Sequence, residues 1–313
     1  MDGRRKVLHQ PVLLAETLAA LDIKPDKYYV DGAFGRGGHA AVILERLGPE
    51  GRLLALDKDP AAEACAAARF SGDHRFVFVR RPFSQLAEVV AEQGWMGQVH
   101  GLLLDLGVSS PQLDDPARGF SFSRDGPLDM RMDPTTGVSA AEWLAQVNEK
   151  ELARVFAEFG EERFHRRIAR AIAAARQQAP IVSTARLAEL IAAAAPTRES
   201  GKHPATRAFQ AIRIVVNDEL GELSAVLPQS VQILAPGGRL AVISFHSLED
   251  RMVKQFLREQ VHGQEWPLDL PVTGSPEGMT LRMAGRLVRP SAAEVAANPR
   301  ARSALLRVAE RLA

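Results

Sequence analysis

The stretch Tyr28-Tyr-Val-Asp31-Gly-Ala-Phe-Gly-Arg-Gly-Gly-His39 decides the fold. Tyr28 to Asp31 reads as a short strand, and the glycines after it as a turn. Ala40 to Leu47 then repeats apolar residues at helical spacing (Val42, Ile43, Leu47), and Gly48-Pro49 stops that helix. Strand, glycine turn and helix in this order open a parallel α/β unit. The alternation continues. Arg52-Leu-Leu-Ala-Leu-Asp57 is a second apolar run, followed by an alanine-rich helix from Pro60 to Arg69. Arg75 to Val79 is a third strand, and Ser84 is placed to cap a helix ending near Gln93. Val99 to Asp105 is a fourth strand, apolar almost throughout. Such runs between helices predict a parallel sheet covered on both faces. Right-handed crossovers make it doubly wound.

The pattern breaks after Asp105. Ser109 to Pro134 is rich in Gly, Pro, Asp and Ser and has no clear period. From Ser139 to Val216 the chain reads as helical. Phe164, Ile168, Ala171 and Ile172 form one apolar face, and Leu187, Leu190 and Ile191 another. Strand character returns at Arg239-Leu-Ala-Val-Ile-Ser-Phe245, after the turn Ala235-Pro-Gly-Gly238. Ser247 with Asp250 resembles a capping box at the start of the next helix. Ser303 to Val308 suits a last strand. The expected fold class is α/β: a doubly wound, mostly parallel Rossmann-like sheet with an inserted all-helical domain. Residues 1–113 and 217–313 make the sheet domain, and 114–216 the insertion.

Composition sets wider bounds. The 313 residues are 46% hydrophobic and 25% charged, ordinary for a globular chain with a sizeable core. The net charge of +1 argues neither for nor against a nucleic-acid partner. One cysteine, Cys65, allows no intrachain disulfide and fits a reducing compartment. The basic N-terminus lacks the apolar stretch of a signal peptide. No apolar run approaches the roughly 18 residues of a membrane span. A cytoplasmic protein without a membrane partner is expected.

Gly35-Arg-Gly37-Gly38-His39-Ala40 fits the loose pattern G-x-G-x-x-G/A, which alone is weak. Its context between strand and helix strengthens it, as does Asp57 at the end of the next strand. Asp57 can accept hydrogen bonds from two ribose hydroxyls. The bland alternative is a packing turn, with Asp57 as a helix cap. Asp31, Asp57, Asp59 and Asp105 all end or follow predicted strands, so all four are expected at one crevice. Carboxylates there would repel a pyrophosphate and suit a ligand with a sulfonium and an ammonium. That favours S-adenosylmethionine over a dinucleotide. Phe83, after the third strand, either packs on an adenine or belongs to the core.

Six segments then carry a family resemblance. They are His9-Gln-Pro-Val-Leu-Leu, Asp31 to His39, Leu103-Leu-Asp105-Leu-Gly-Val-Ser-Ser-Pro-Gln112, Gly126-Pro-Leu-Asp-Met-Arg-Met-Asp133, Lys202-His-Pro-Ala-Thr-Arg-Ala-Phe-Gln210 and Ser244-Phe-His-Ser-Leu-Glu-Asp-Arg251. In this order they resemble the ribosomal RNA small subunit methyltransferase H family. The resemblance spans essentially the whole chain. It implies methylation of N4 of a cytosine in the decoding region of 16S rRNA, in the small subunit or its precursor. It implies cofactor contacts at Gly37, Gly38, His39, Asp57, Phe83, Asp105 and Gln112, and no metal. His100 departs from it, standing where an acidic residue is expected at the entry of the fourth strand.

A cytosine amine needs a hydrogen-bond acceptor and a route for its proton. Asp105 is placed for this at a strand tip, or else it only binds the cofactor. Amino-methyltransferases generally follow that residue with Pro-Pro-aromatic; here Leu-Gly-Val follows. His246 is a second candidate, or a structural histidine beside a helix cap. Carbon-5 methylation of a pyrimidine would need a cysteine nucleophile, and Cys65 lies in a helix. Arg163, Arg166, Arg167 and Arg170 sit at helical spacing and either meet phosphates or form a solvated face. The insertion carries 15 basic and 13 acidic residues, so charge alone does not mark it as an RNA domain. Phe120 and Phe122 either stack on a base or tuck under their loop. Two other readings stay open: a methyltransferase for another amine, and a nucleotide-binding regulatory module without catalysis.

Overall fold

The computed structural model describes residues 11–195, 203–263 and 278–313. The N-terminal stretch read as lacking a signal peptide lies outside them, as does Lys202. Two compact units form, Met1–Gly107 with Gly221–Ala313, and Val108–Leu220. The strands are β1 (Tyr28–Asp31), β2 (Arg52–Leu56), β3 (Phe76–Val79), β4 (Val99–Asp105), β5 (Leu234–Ser244), β6 (Leu281–Met283) and β7 (Leu305–Arg311). Helices α1 (Leu14–Leu21), α2 (Gly38–Arg46), α3 (Pro60–Phe70) and α4 (Leu86–Glu92) alternate with the first strands. Helices α5 (Ser110–Asp114), α6 (Ala140–Gln146), α7 (Glu149–Glu158), α8 (His165–Gln178), α9 (Thr184–Ala194) and α10 (Thr206–Asn217) belong to the second unit. Helices α11 (Glu219–Ile233), α12 (Ser247–His262) and α13 (Ala292–Ala297) follow.

The sheet has the order β3-β2-β1-β4-β5-β7-β6. The first five strands are parallel; β7 runs antiparallel to both β5 and β6. This is the doubly wound, mostly parallel sheet expected from the alternation. Strand β4 explains why both faces must be covered. Leu103 faces one core with Tyr29, Ala55 and Ile243, against Ile43 of α2 and Ala66 of α3. Leu102 and Leu104 face the other with Val30, Leu54 and Leu56, against Val89 of α4 and Val226 of α11. Side chains alternate across a strand, so a fully apolar strand needs a helix layer on each side.

Three local expectations are corrected. Ser84 caps no helix; it lies inside a 3-10 turn, Phe83–Gln85, and α4 starts at Leu86. Side chains of α11 serve that helix start instead: Ser84 N–H donates to Glu222 and Ala87 N–H to Gln229. The turn Ala235–Gly238 sits within β5, which advances from Leu234 to Arg239 while β4 advances from Val99 to Gly101. The extra residues bulge out there, with Gly237 at φ 77°. The capping box of α12 begins one residue earlier than read, at His246 with Glu249.

The second unit is helical, as its sequence pattern indicates. Leu144, Leu152, Phe156, Ile168, Ile172, Leu187, Ile191, Phe209 and Ile212 form its core. Phe120 is buried in it, which removes Phe120 as a base-stacking residue. Phe122 is half-buried and stacks on His203 at 4.5 Å between ring centres. Arg163 lies in the turn before α8, so only Arg166, Arg167 and Arg170 share that helix; all four are exposed. Beside Arg118 and Thr184, the buried Asn217 helps pin the Gly126–Asp133 segment. The Asn217 amide nitrogen donates to Met130 O at 2.8 Å, and its oxygen accepts from Met132 N at 2.7 Å. Met130 itself takes φ 63°, which an apolar side chain rarely adopts.

Asn217→Ala leaves the buried Met130 carbonyl and the partly buried Met132 N–H without this partner. It should cost about 2–4 kcal/mol, read as a lower urea midpoint. An unchanged midpoint would show that the segment is held by other contacts.

Candidate active site

In an open doubly wound sheet, ligands sit beyond the carboxyl ends of the strands where the order reverses. Here that point lies between β1 and β4, whose last residues are Asp31 and Asp105. The glycine turn leaves β1 and is tied to β2. Phe34 N–H donates to Leu56 O at 3.0 Å, and Gly35 N–H to Asp57 Oδ2 at 2.8 Å. Phe34 is buried among Phe70, Phe76 and Phe78, so the turn is anchored in the core. Gly37 takes φ 67°, and a Cβ there would come within 2.5 Å of the Phe34 ring. A Cβ on Gly38 would come within 2.4 Å of Pro11. Neither position accepts a side chain without displacement.

The four acidic tips divide. Asp57 bridges the turn and the next loop, its second oxygen accepting from Asp59 N–H at 2.9 Å. Burial pushes its carboxyl above the usual range. Asp59 leaves the crevice set: it is the N-cap of α3, accepting from Ala61 N–H at 2.9 Å. Asp31 is 1% exposed, and burial pushes it up to about 7. Asp105 keeps 25% of its side chain exposed, yet its Oδ1 is enclosed without a hydrogen-bond partner among the described residues. Burial first, then the charges of Asp31 and Glu249, hold Asp105 well above ordinary carboxyls.

Two histidines flank Asp105. His39, on the first turn of α2, is 5% exposed. Its Nε2 lies 3.1 Å from Val12 O and its Nδ1 3.5 Å from Asp105 Oδ2. Burial pulls His39 down to about 4. His246 is the cap of α12: its Nδ1 accepts from Glu249 N–H at 3.4 Å, and its Nε2 lies 3.1 Å from Glu249 Oε1. The buried Glu249 in turn accepts from Phe245 N–H and His246 N–H. Sequence reading missed Glu249, because histidine is not among the usual capping residues and Ser247 drew the cap one place on. Phe83 follows β3 and packs partly buried against the core of the α4 face. Gln112 belongs to the helical unit, buried as the reciprocal partner of Ser109 in the cap of α5. The site residues of the sheet unit therefore converge: the glycine turn, Asp31, His39, Asp57 and Asp105.

These groups fit a cofactor that is cationic and carries ribose hydroxyls. An enclosed carboxyl oxygen lacks a donor, and Asp57 has lone pairs beyond its two backbone bonds.

The buried pair titrates in opposite senses. Asp31 gains protons on folding between about pH 4 and 7, so its contribution to stability falls as pH rises through that window. His39 is neutral when folded, so its contribution falls as pH drops from about 6.5 to 4. Asp31→Asn should therefore stabilise the cofactor-free protein at pH 8, by up to about 4 kcal/mol, and change little at pH 5. Thermal melts at both pH values read this. Equal gains at both would remove the buried charge as the cause.

The MraW methylase family model matches residues 6–312. A ribosomal RNA small subunit methyltransferase H of Thioalkalivibrio sulfidiphilus (strain HL-EbGR7) is 62% identical over 314 residues, covering all of both chains. Among solved structures, an rRNA methylase from Streptococcus thermophilus is 12% identical, with TM-score 0.42 over 96% of this chain and 93% of that one. The N-methyltransferase NodS from Bradyrhizobium japonicum WM9, in complex with S-adenosyl-L-homocysteine, is 9% identical, with TM-score 0.44 over 99% and 93%. Among the described residues no helix is long and apolar enough to cross a membrane. The chain belongs to the MraW methylase family and is an S-adenosylmethionine-dependent methyltransferase.

Proposed function

We propose that this enzyme methylates the exocyclic N4 amine of a cytosine in the decoding region of 16S rRNA. It acts in the cytoplasm, on the small ribosomal subunit or its precursor. The observation that carries the reading is Asp105, a carboxyl at the switch-point end of β4 whose Oδ1 has no hydrogen-bond partner among the described residues. A cytosine amine has its lone pair drawn into the ring and is a weak nucleophile. It reacts only when an acceptor holds its N–H, aims it and takes its proton. Asp105 supplies that acceptor. The full-length likeness to a methyltransferase named for small-subunit rRNA supports the substrate.

The cofactor, when bound, supplies an electrophilic methyl group on a sulfonium. Gly37 and Gly38 let the backbone approach it, and His39 follows them on the same turn. Asp57 accepts from its ribose hydroxyls, and Phe83 packs beside its adenine. His246 has its Nδ1 occupied as the cap of α12, which favours positioning over proton transfer. The helical segment 114–216 recognises the substrate. Its exposed Arg163, Arg166, Arg167 and Arg170 are candidates for phosphate contact.

Incubation with methyl-labelled cofactor and 16S rRNA or small subunits, then mass spectrometry of the nucleosides, should give N4-methylcytidine. Label at another atom, or none in any rRNA, would overturn the reading. Asp105→Asn should lower turnover by at least about 100-fold. His246→Asn keeps a capping acceptor and should retain turnover within about threefold. A 100-fold loss in His246→Asn with cofactor affinity intact would make the imidazole the proton carrier.

A further inference from the structure

We infer that His39 and Asp105 share a single proton in the free enzyme, and that Asp105 surrenders it when the cationic cofactor binds. The inference rests on the cofactor assignment above and concerns what that cofactor does to these two side chains.

Hydrogen-bond geometry leads to the shared proton. The Val12 carbonyl can only accept, so the His39 Nε2 that faces it at 3.1 Å must carry hydrogen. The other ring nitrogen, Nδ1, faces Asp105 Oδ2 at 3.5 Å. A bare nitrogen lone pair and a carboxylate oxygen would repel each other there. One proton between them removes the repulsion, whether it resides on the carboxyl or on the ring. Either way the pair is neutral overall. His39 is buried, and Asp105 Oδ1 is enclosed without a donor, so a net charge on the pair would be poorly solvated. The surroundings agree. Asp31 ends β1 and Glu249 sits on the first turn of α12, and both act on Asp105 as like charges. Asp57 acts likewise on Asp31 from the end of β2. His246 lies beside Glu249 on the same helix start.

This arrangement balances charge through a turnover. S-adenosylmethionine carries one net positive charge at its sulfonium; the ammonium and carboxylate of its amino-acid end cancel. On its arrival the pair releases its proton to solvent, leaving a carboxylate at Asp105. During transfer the nitrogen–carbon bond forms, the carbon–sulfur bond breaks and its electron pair stays on sulfur. The amine's proton passes to Asp105. The pair then holds one proton again, and the sulfur product is neutral. The pair and the cofactor together never carry a net charge, and the base exists only while a methyl donor is present. His39 is a positioning residue here: it touches Asp105, holds the shared proton in place and leaves the amine to the carboxylate.

The test is calorimetric titration of the full chain with S-adenosylmethionine and with S-adenosylhomocysteine near pH 7.5. Each is run in two buffers of different ionisation enthalpy, which yields protons released per ligand bound. Release should be greater for S-adenosylmethionine than for its neutral product by close to one proton. The amino-acid and ribose ends are common to both ligands, so their protonation cancels in the difference. Asp105→Asn should still bind both ligands and abolish the difference. Equal release for the two ligands in the unmodified enzyme would overturn the inference, as would a difference that survives in Asp105→Asn. Failure to bind either ligand would instead overturn the cofactor assignment.

Discussion

A carboxyl group at the end of a buried strand must find donors or keep its proton. That constraint organises this crevice. Asp57 finds donors, taking the N–H groups of Gly35 and Asp59, and so ties the glycine turn to β2. Asp59 finds one in the first turn of α3. Among the described residues Asp31 receives only Ala33 N–H at 3.3 Å, and burial pushes it up to about 7. Among the described residues no donor reaches the enclosed Oδ1 of Asp105, and its carboxyl is held well above its ordinary range. The same residue type at four tips thus plays four roles, set by what each backbone ending leaves in reach.

The sheet was legible because its signals are local. Strand-length apolar runs, glycine stops and helical spacing survive in any context, and β1, β2, β3 and β4 lie within a residue of where the pattern puts them. What sequence reading lost depends on partners far along the chain. Ser84 looks like a cap, but Glu222 and Gln229, more than a hundred residues on, serve the N–H groups at that helix start. His246 caps α12 through an imidazole, while the neighbouring serine has the better propensity. Phe120 and Phe122 look alike in the loop; one is buried and the other stacks on a histidine some eighty residues later. Periodicity carries no information of this kind.

The site was legible in composition and illegible in protonation. Acidic strand tips pointed correctly away from a pyrophosphate ligand. The reason differs from simple repulsion by four charges, since Asp59 is a cap and Asp31 and Asp105 resist ionisation. Carboxyls held above their ordinary range would be stabilised in ionised form by a sulfonium, and would gain nothing from a pyrophosphate. The role of His39 was hidden for a related reason. The Val12 carbonyl that fixes its tautomer belongs to the segment before α1, and no spacing rule links the two.

The lone cysteine completes the argument about where the methyl group goes. Adding a methyl to carbon 5 of a pyrimidine requires a thiolate to attack carbon 6 first. Cys65 lies on α3, half-buried against the aromatic core, with its Sγ 3.5 Å from the Arg36 carbonyl. That contact lets the thiol donate its hydrogen, which a nucleophile would have to lose. An amine needs no such intermediate. It needs a hydrogen-bond acceptor, and among the described residues Asp105 Oδ1 at the end of β4 has no donor. Cys65, the chain's one cysteine, is therefore poorly placed for the covalent route that pyrimidine carbon 5 demands, which agrees with the amine proposed above.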